Sequence, residues 1–414
     1  MKRTLSILVI SLLWLYSPLR GNAGEEHGLT LNECISIALQ QNPLILSSYK
    51  QHKAALARIN QAKALPQPSL DYDSDLQPSL FHFKGSGESY LGVSQAIEFP
   101  GKMSLRGKIA FKESSIILQD IDLLKLEITF LVKQAFYGLL LSREKLRYAE
   151  QNLDLSKDFL EKTELKQDAG DVAKVEALRA QVEVSKAENE LKSASNEVKL
   201  AKAMLNFLLA RKKYDPIEVR GELRRPPIPL DAEELIERAL SVRPEVKKIQ
   251  FSLEREELVK KQGYLSYLPD FNLGISKHNI EGEGSWWDVT LSFPIPLFFW
   301  QPKKGEIAEA QANIESLQNE ADHFRNAIAL EVDEAYTNAL TANDQIRLFE
   351  DKILAQSEEV YNMFLFSYQE GEIGAIELIE ARRTLIEARK SYADALYNYG
   401  VALAALEKSI GTDF

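Results

Sequence analysis

The same residues recur in the same order in the two halves of the chain, at one offset of about 200 residues. Ala38-Leu39 followed by Pro43 returns as Ala239-Leu240 followed by Pro244. Pro68, Leu70 and Tyr72 return as Pro269, Phe271 and Leu273. Gly170, Val172, Val175 and Ala180 return as Gly371, Ile373, Ile376 and Ala381. Between them, Gly107-Lys108-Ile109-Ala110 matches Gly305-Glu306-Ile307-Ala308 at a slightly shorter offset, which places a length difference in the strand region. A chain of this kind folds one supersecondary unit twice.

Each unit reads as a helix, a strand pair and two long helical stretches. The first helix is expected over Leu31 to Leu65 and again over Asp231 to Leu268; the last over Val175 to Leu209 and Ile376 to Ile410. The units are expected at 24–210 and 231–414, with strand pairs at 67–99 and 270–297. The connector, 211–230, carries Pro216, Pro226, Pro227 and Pro229 and reads as an extended strap, because proline breaks a helix interior. No proline interrupts Ser104 to Lys166. At 1.5 Å per residue such a helix reaches roughly 90 Å, a length suited to a coiled coil or to a tube across a wide compartment.

The first residues read as a targeting segment. Lys2 and Arg3 precede an apolar run from Leu5 to Tyr16, and Gly21-Asn22-Ala23 offers a small-residue cleavage site, so 1–23 is expected to be a secretory signal. The run is shorter than the roughly 20 residues that span a bilayer. Later in the chain, Leu123 to Leu141 is the most apolar stretch, but it contains Lys125, Glu127 and Lys133. The lone Cys34 lies inside the first helical pattern and reads as a buried core cysteine, with no disulfide framework.

The strand segments decide the class. Leu70, Tyr72 and Leu76 share one face of the first, and Asp71, Asp73 and Asp75 the other. Leu91, Val93, Ile97 and Phe99 oppose Gly92, Ser94 and Glu98 in the second. Phe271, Leu273 and Ile275 oppose Asn272, Gly274 and Ser276 in the third. In the fourth, Trp287, Val289, Leu291, Phe293, Ile295 and Leu297 oppose Asp288, Thr290 and Ser292. A row of aspartates fits the wet lumen of a membrane β-barrel, with the apolar row toward lipid; a soluble sandwich with one wet face is the alternative, and the flanking helices leave it no second sheet to pack against. Aromatics at the loop ends (Phe81, Phe83, Tyr90, Trp286, Trp287) and at the helix ends (Phe99, Phe298, Phe299, Trp300) fit interfacial belts. Four strands cannot close a barrel, and open edges in hydrocarbon are costly, so a spanning chain must oligomerise. Two copies would give eight strands and three would give twelve; a conduit favours the wider barrel, because eight strands are filled by their own side chains.

Other classes find little support. The net charge of −11 argues against nucleic acid, whose binding rests on basic patches. There is no nucleophile elbow, phosphate loop or metal-ligand cluster, and the histidines (His27, His52, His82, His278, His323) show no ligand spacing. No enzyme activity, cofactor or metal site is therefore expected. A non-conducting coiled-coil protein bridging the periplasm is the structural alternative.

With these features in place, the chain resembles the TolC family of outer-membrane efflux proteins. The likeness runs from Leu29 to Gly411. It is carried by the duplicated openings, the paired glycine turns and the crossings Glu98-Phe99-Pro100-Gly101-Lys102 and Pro294-Ile295-Pro296-Leu297-Phe298. The crossings are most similar to members serving heavy-metal cation pumps of the cobalt–zinc–cadmium type. The resemblance implies a mainly α protein with a membrane β-barrel portion: long antiparallel coiled coils form a periplasmic α-barrel, and a homotrimer shares one twelve-stranded barrel. It also implies a periplasmic adaptor, an inner-membrane transporter of the resistance-nodulation-division type and a Gram-negative outer membrane. A general drug-efflux or type I secretion duct is the alternative within the family.

The resemblance also assigns residues. Gly170, Asp171, Val172, Gly371, Glu372 and Ile373 become adaptor-docking tips. Glu377 and Glu380, on one helix face, become an acidic ring at the pore aperture that favours cations. Tyr368 and Glu176 become a gate latch joined by a tyrosine–carboxylate hydrogen bond. Ile373 departs from the family pattern, since a basic residue completes that latch elsewhere.

Overall fold

The computed structural model describes residues 28–75, 87–228, 231–295 and 300–412. The signal segment, Leu76, Phe81, Phe83, Leu297, Phe298 and Phe299 lie outside these residues. The order of elements in the first half is α1 (Leu31–Gln41), α2 (Pro43–Ala62), β1 (Ser69–Asp75), β2 (Glu88–Ile97), α3 (Lys102–Asp168) and α4 (Lys174–Leu208). The second half repeats it with α5 (Ala232–Val242), α6 (Pro244–Leu265), β3 (Phe271–Ile280), β4 (Gly284–Ser292), α7 (Trp300–Leu348), a π-turn (Phe349–Ile353), α8 (Leu354–Gln369) and α9 (Ala375–Ile410).

The opening helix of each half is two helices, not the single one expected. Pro43 and Pro244 sit at the first turn of α2 and α6, where the missing N–H costs nothing but the ring blocks a helix running in from before. Asn42 closes α1 and caps α2: its side chain accepts from the Leu44 N–H at 2.9 Å and donates to the Leu208 carbonyl at 3.3 Å. At the other end of α1, Thr30 and Glu33 form a reciprocal capping box.

Helix α3 runs unbroken for 67 residues and packs along α4, α6, α2 and α9. Its core with α1 and the connector is built from Ile128, Val132, Phe136, Leu139, Leu205 and Ile217. Cys34 is fully buried there, and burial pushes its thiol up to about 11, as suits an inert core residue. The connector is extended and begins beside the start of α1: Leu29 donates to Glu218 O at 2.8 Å, and Arg220 donates to Leu29 O at 2.9 Å.

The four strands form one antiparallel meander in the order β1-β2-β3-β4, leaving β1 and β4 as open edges. Register fixes the faces. Leu70 opposes Val93, Val93 opposes Ile275 and Ile275 opposes Val289, so one apolar row crosses all four strands; these four side chains are each at least half exposed. The other face carries Asp71, Asp73, Asp75, Glu88, Ser94, Ser276, Asp288 and Thr290. Gly92 lies on this polar face, where a Cβ would fall 2.6 Å from the Ser276 Cβ. The apolar row is shorter than expected at its ends: β2 stops at Ile97 and β4 at Ser292, leaving Phe99, Phe293 and Ile295 beyond the ladder. Pro100 and Pro294 follow closely, and neither has an N–H to continue pairing.

The crossing from β2 to α3 is tied by charge. Gly101 adopts a left-handed φ of 104°, Asp270 accepts from both the Phe99 N–H and Lys102 at 2.7 Å, and Arg106 grips both oxygens of Glu98 at 2.7 Å. The crossing motif is thus a backbone turn locked to the opposite strand pair. No helix among the described residues is long and apolar enough to cross a membrane.

Candidate entrance at the helical tip

The two tips are built alike. Helix α3 ends at Asp168 and α8 at Gln369, each followed by a glycine in the left-handed region, Gly170 (φ 84°) and Gly371 (φ 80°). At the first, Gly170 N–H donates to Gln167 O and Asp171 N–H to Lys166 O, both at 2.9 Å. At the second, Gly371 donates to Tyr368 O at 3.2 Å and Glu372 to Ser367 O at 2.9 Å. Both are Schellman closures, which satisfy the last carbonyls of a helix and require a residue that tolerates positive φ.

Lys166 joins the two turns. While its carbonyl closes the first, its ammonium donates to Tyr368 O at 3.1 Å, the carbonyl that closes the second. The same ammonium lies 4.5 Å from the centroid of the Tyr368 ring. One turn earlier on α3, Thr163 Oγ1 meets the Tyr368 hydroxyl at 3.3 Å. Tyr368 is buried in a cluster with Phe159, Ala180, Ala375, Leu378 and Ile379. The tyrosine is therefore held at ring, hydroxyl and carbonyl by α3.

The expected Tyr368–Glu176 hydrogen bond is not made within the protomer. Glu176 lies in the first turn of α4, and its side chain has no hydrogen bond or ion pair among the described residues. Thr163 takes its place.

Glu377 and Glu380 are exposed on one face of α9, opposite the buried Leu378 and Ile379. Glu380 is not a free carboxylate. Arg383 bridges it at 2.7 Å and also reaches Glu183 of α4 at 2.7 Å. Glu183 takes Lys186 as well, at 2.9 Å. Burial alone would raise the Glu183 carboxyl, but the Lys186 hydrogen bond and the Arg383 charge overcome it and hold the group below the usual carboxylate range.

At the tips themselves, Glu372 accepts from Ser367 at 3.1 Å, and Gly170, Asp171 and Gly371 are exposed. Val172 is half-buried, and Ile373 packs partly against the Tyr368 cluster. The more exposed apolar side chains stand one turn inward: Leu165, Val175, Leu178, Phe366 and Ile376. Thr163, Lys166, Glu183 and Arg383 were missed in the sequence. Each reads alone as an ordinary polar residue on a long helix, and only the packing of α3 against α8 and α4 against α9 gives it a partner. Among the described residues no group of three potential ligands could hold a metal ion.

Comparison with known proteins fits this architecture. The family model described as outer membrane efflux protein matches residues 34–211 and again 235–412. The cobalt-zinc-cadmium resistance protein CzcC of Cupriavidus metallidurans is 22% identical over 392 residues, covering 92% of this chain and 90% of that protein. The fold is similar to that of CusC, with a TM-score of 0.77 at 16% identity and 92% of each chain covered. It is equally similar to that of the Neisseria gonorrhoeae outer-membrane channel MtrE, with a TM-score of 0.77 at 17% identity, covering 92% of this chain and 89% of that one. With that family model matched in both halves of a chain that has a lipid-suited sheet and a long helical tube wall, the protein belongs to the outer membrane efflux protein family.

Proposed function

We propose that this chain is the exit duct of a tripartite pump that expels heavy-metal cations. What carries the duct reading is the sheet, apolar and exposed on one face, polar on the other and open at both edges. Joining β4 of one protomer to β1 of the next leaves no unpaired edge when the ring closes, and three copies give a twelve-stranded barrel wide enough for an aqueous lumen. The helices continue that lumen through the periplasm to the tips, where a periplasmic adaptor docks at Gly170–Val172 and Gly371–Ile373. An inner-membrane transporter of the resistance-nodulation-division type would drive the flow, and the duct itself would do no chemistry.

Two observations support a cationic cargo. The relative CzcC is named for cobalt, zinc and cadmium resistance. Carboxylates also mark both ends of the path: Glu377 at the tip, with Glu380 beside it bridged to Arg383, and Asp71, Asp73, Asp75, Glu88 and Asp288 on the polar sheet face. Rings of acidic side chains favour cations. In the closed duct Tyr368 is latched by Thr163 and Lys166, and Glu176 contributes only if it acts across a subunit boundary.

The test is growth of a deletion strain against metal ions, dyes, detergents and antibiotics. Hypersensitivity confined to transition-metal ions is the expected result. Sensitivity to organic compounds with unchanged metal tolerance would replace the metal reading with a general drug-efflux or secretion duct.

A further inference from the structure

Between α3, α8 and α9, just above the tips, lies a cavity of about 210 Å³. Its floor is apolar, formed by Phe159, Leu365, Leu378 and Ile379. Its rim is cationic, with Lys162 and Lys166 there and Arg382 buried further in, against a single lining carboxylate, Asp158, which is already paired with Lys162 at 2.7 Å.

Arg382 is anomalous. It is 4% exposed, its side chain makes no hydrogen bond with any described residue, and its Nε is buried without an acceptor. The nearest carboxylate oxygen, on Glu183, is 3.8 Å away, and that carboxylate is committed to Lys186 and Arg383. Burial lowers the Arg382 guanidinium's affinity for its proton. A buried guanidinium without a bonded counter-charge is costly, and proteins pair or ligate such groups. Tyr361, also on the wall, leaves its hydroxyl without a hydrogen bond among the described residues.

We propose that this cavity binds a small amphipathic anion, one anionic head on a one-ring apolar body, with the head on Arg382 and the body over the Phe159–Leu378 floor. Size sets the body: an apolar cavity of about 150 Å³ admits benzene, so this one takes a ring with a short substituent. Sign sets the head, since a cationic cargo is repelled by the same rim. The ligand is therefore an effector of the duct and not its cargo. Touching α3, α8 and α9 together, it holds the two hairpins of the tip against each other.

The experiment is equilibrium dialysis of the full-length protein in a non-ionic detergent against three probes of one shape: 4-ethylbenzenesulfonate, 4-ethylbenzyl alcohol and 4-ethylbenzylammonium. Saturable binding of one sulfonate per protomer, at least tenfold tighter than the alcohol and with no saturable ammonium binding, is expected. Arg382→Met should weaken the sulfonate at least tenfold and leave the alcohol unchanged. Equal binding of all three probes, no saturable sulfonate binding up to millimolar concentration, or undiminished affinity in the variant overturns the proposal. If the variant does not assemble, the comparison of probe charges on the unmodified protein decides alone.

Discussion

Lys166 and Tyr368 show how a tip can be locked by few groups. The ammonium serves a carbonyl and a ring at once, whereas the Tyr368 hydroxyl makes one contact, at 3.3 Å. A charged hydrogen bond plus a partly exposed cation–π contact is worth about 1–2 kcal/mol here, and a neutral hydroxyl pair about 1 kcal/mol or less. Lys166→Met should therefore raise single-channel open probability roughly tenfold in a planar bilayer, and Tyr368→Phe by less. An equal or larger effect of Tyr368→Phe would place the latch elsewhere. The glutamate network adds a pH signature. Glu183 is held below its ordinary value of 4.5, so its bridge to Arg383 is at full strength above that pH and is lost as pH falls through the lower folded value. Open probability should rise on acidification below about pH 4.5, and Glu183→Gln should remove the pH step while raising the baseline. A pH step that survives Glu183→Gln would assign it to another group. Tyr368 was legible in the sequence only through resemblance. Its partners were not, because helical spacing says which face a residue occupies and nothing about which helix lies opposite.

At the scale of elements, the strands and glycine turns were legible and the helix breaks were not. Alternation of apolar and polar residues fixed the strand faces, and the ladder keeps them. Pro43 was visible inside a helical pattern, yet whether a proline kinks, starts or ends a helix depends on what caps it; here Asn42, anchored to the carbonyl of Leu208 from a distant helix, makes it a start. The π-turn at Phe349–Ile353 has no counterpart in α3, and the second half carries three more residues between the matching glycines than the first, a difference that lies outside the strand region. The turns give a clean test. Gly371 has positive φ and open space around it, so Gly371→Ala costs only backbone strain, about 1 kcal/mol. Gly374, at φ −83°, has no such need and would meet only the mobile Glu377 carboxylate. Gly371→Ala should increase protease cleavage at the α8–α9 turn, and Gly374→Ala should not; equal cleavage in both would mean that the left-handed residue is not what holds the turn.

The whole molecule joins a sheet that lacks two partners to helices that need none for their backbone. A helix bonds its backbone within itself, but the outer edges of β1 and β4 have no partner strand among the described residues, and the apolar row on the sheet is exposed. Both deficits are met by the same event, closure of a barrel in a bilayer, so a single protomer should neither insert stably nor conduct. The closed barrel should be cation-selective. Asp71, Asp73, Asp75, Glu88 and Asp288 lie on the polar face near one another, and among the described residues of that face His278 is the basic group beside them, 3.5 Å from Asp288. Replacing Asp71, Asp73 and Asp75 by Asn leaves size and hydrogen-bonding capacity nearly intact while removing three charges per copy. Under a salt gradient the unmodified channel should show a reversal potential of cation-selective sign. The triple variant should bring it closer to zero, because the wall charge sets the local excess of cations over anions. Anion selectivity in the unmodified channel would mean that the aspartate face is not the lumen, and the assignment of the two sheet faces would have to be reversed.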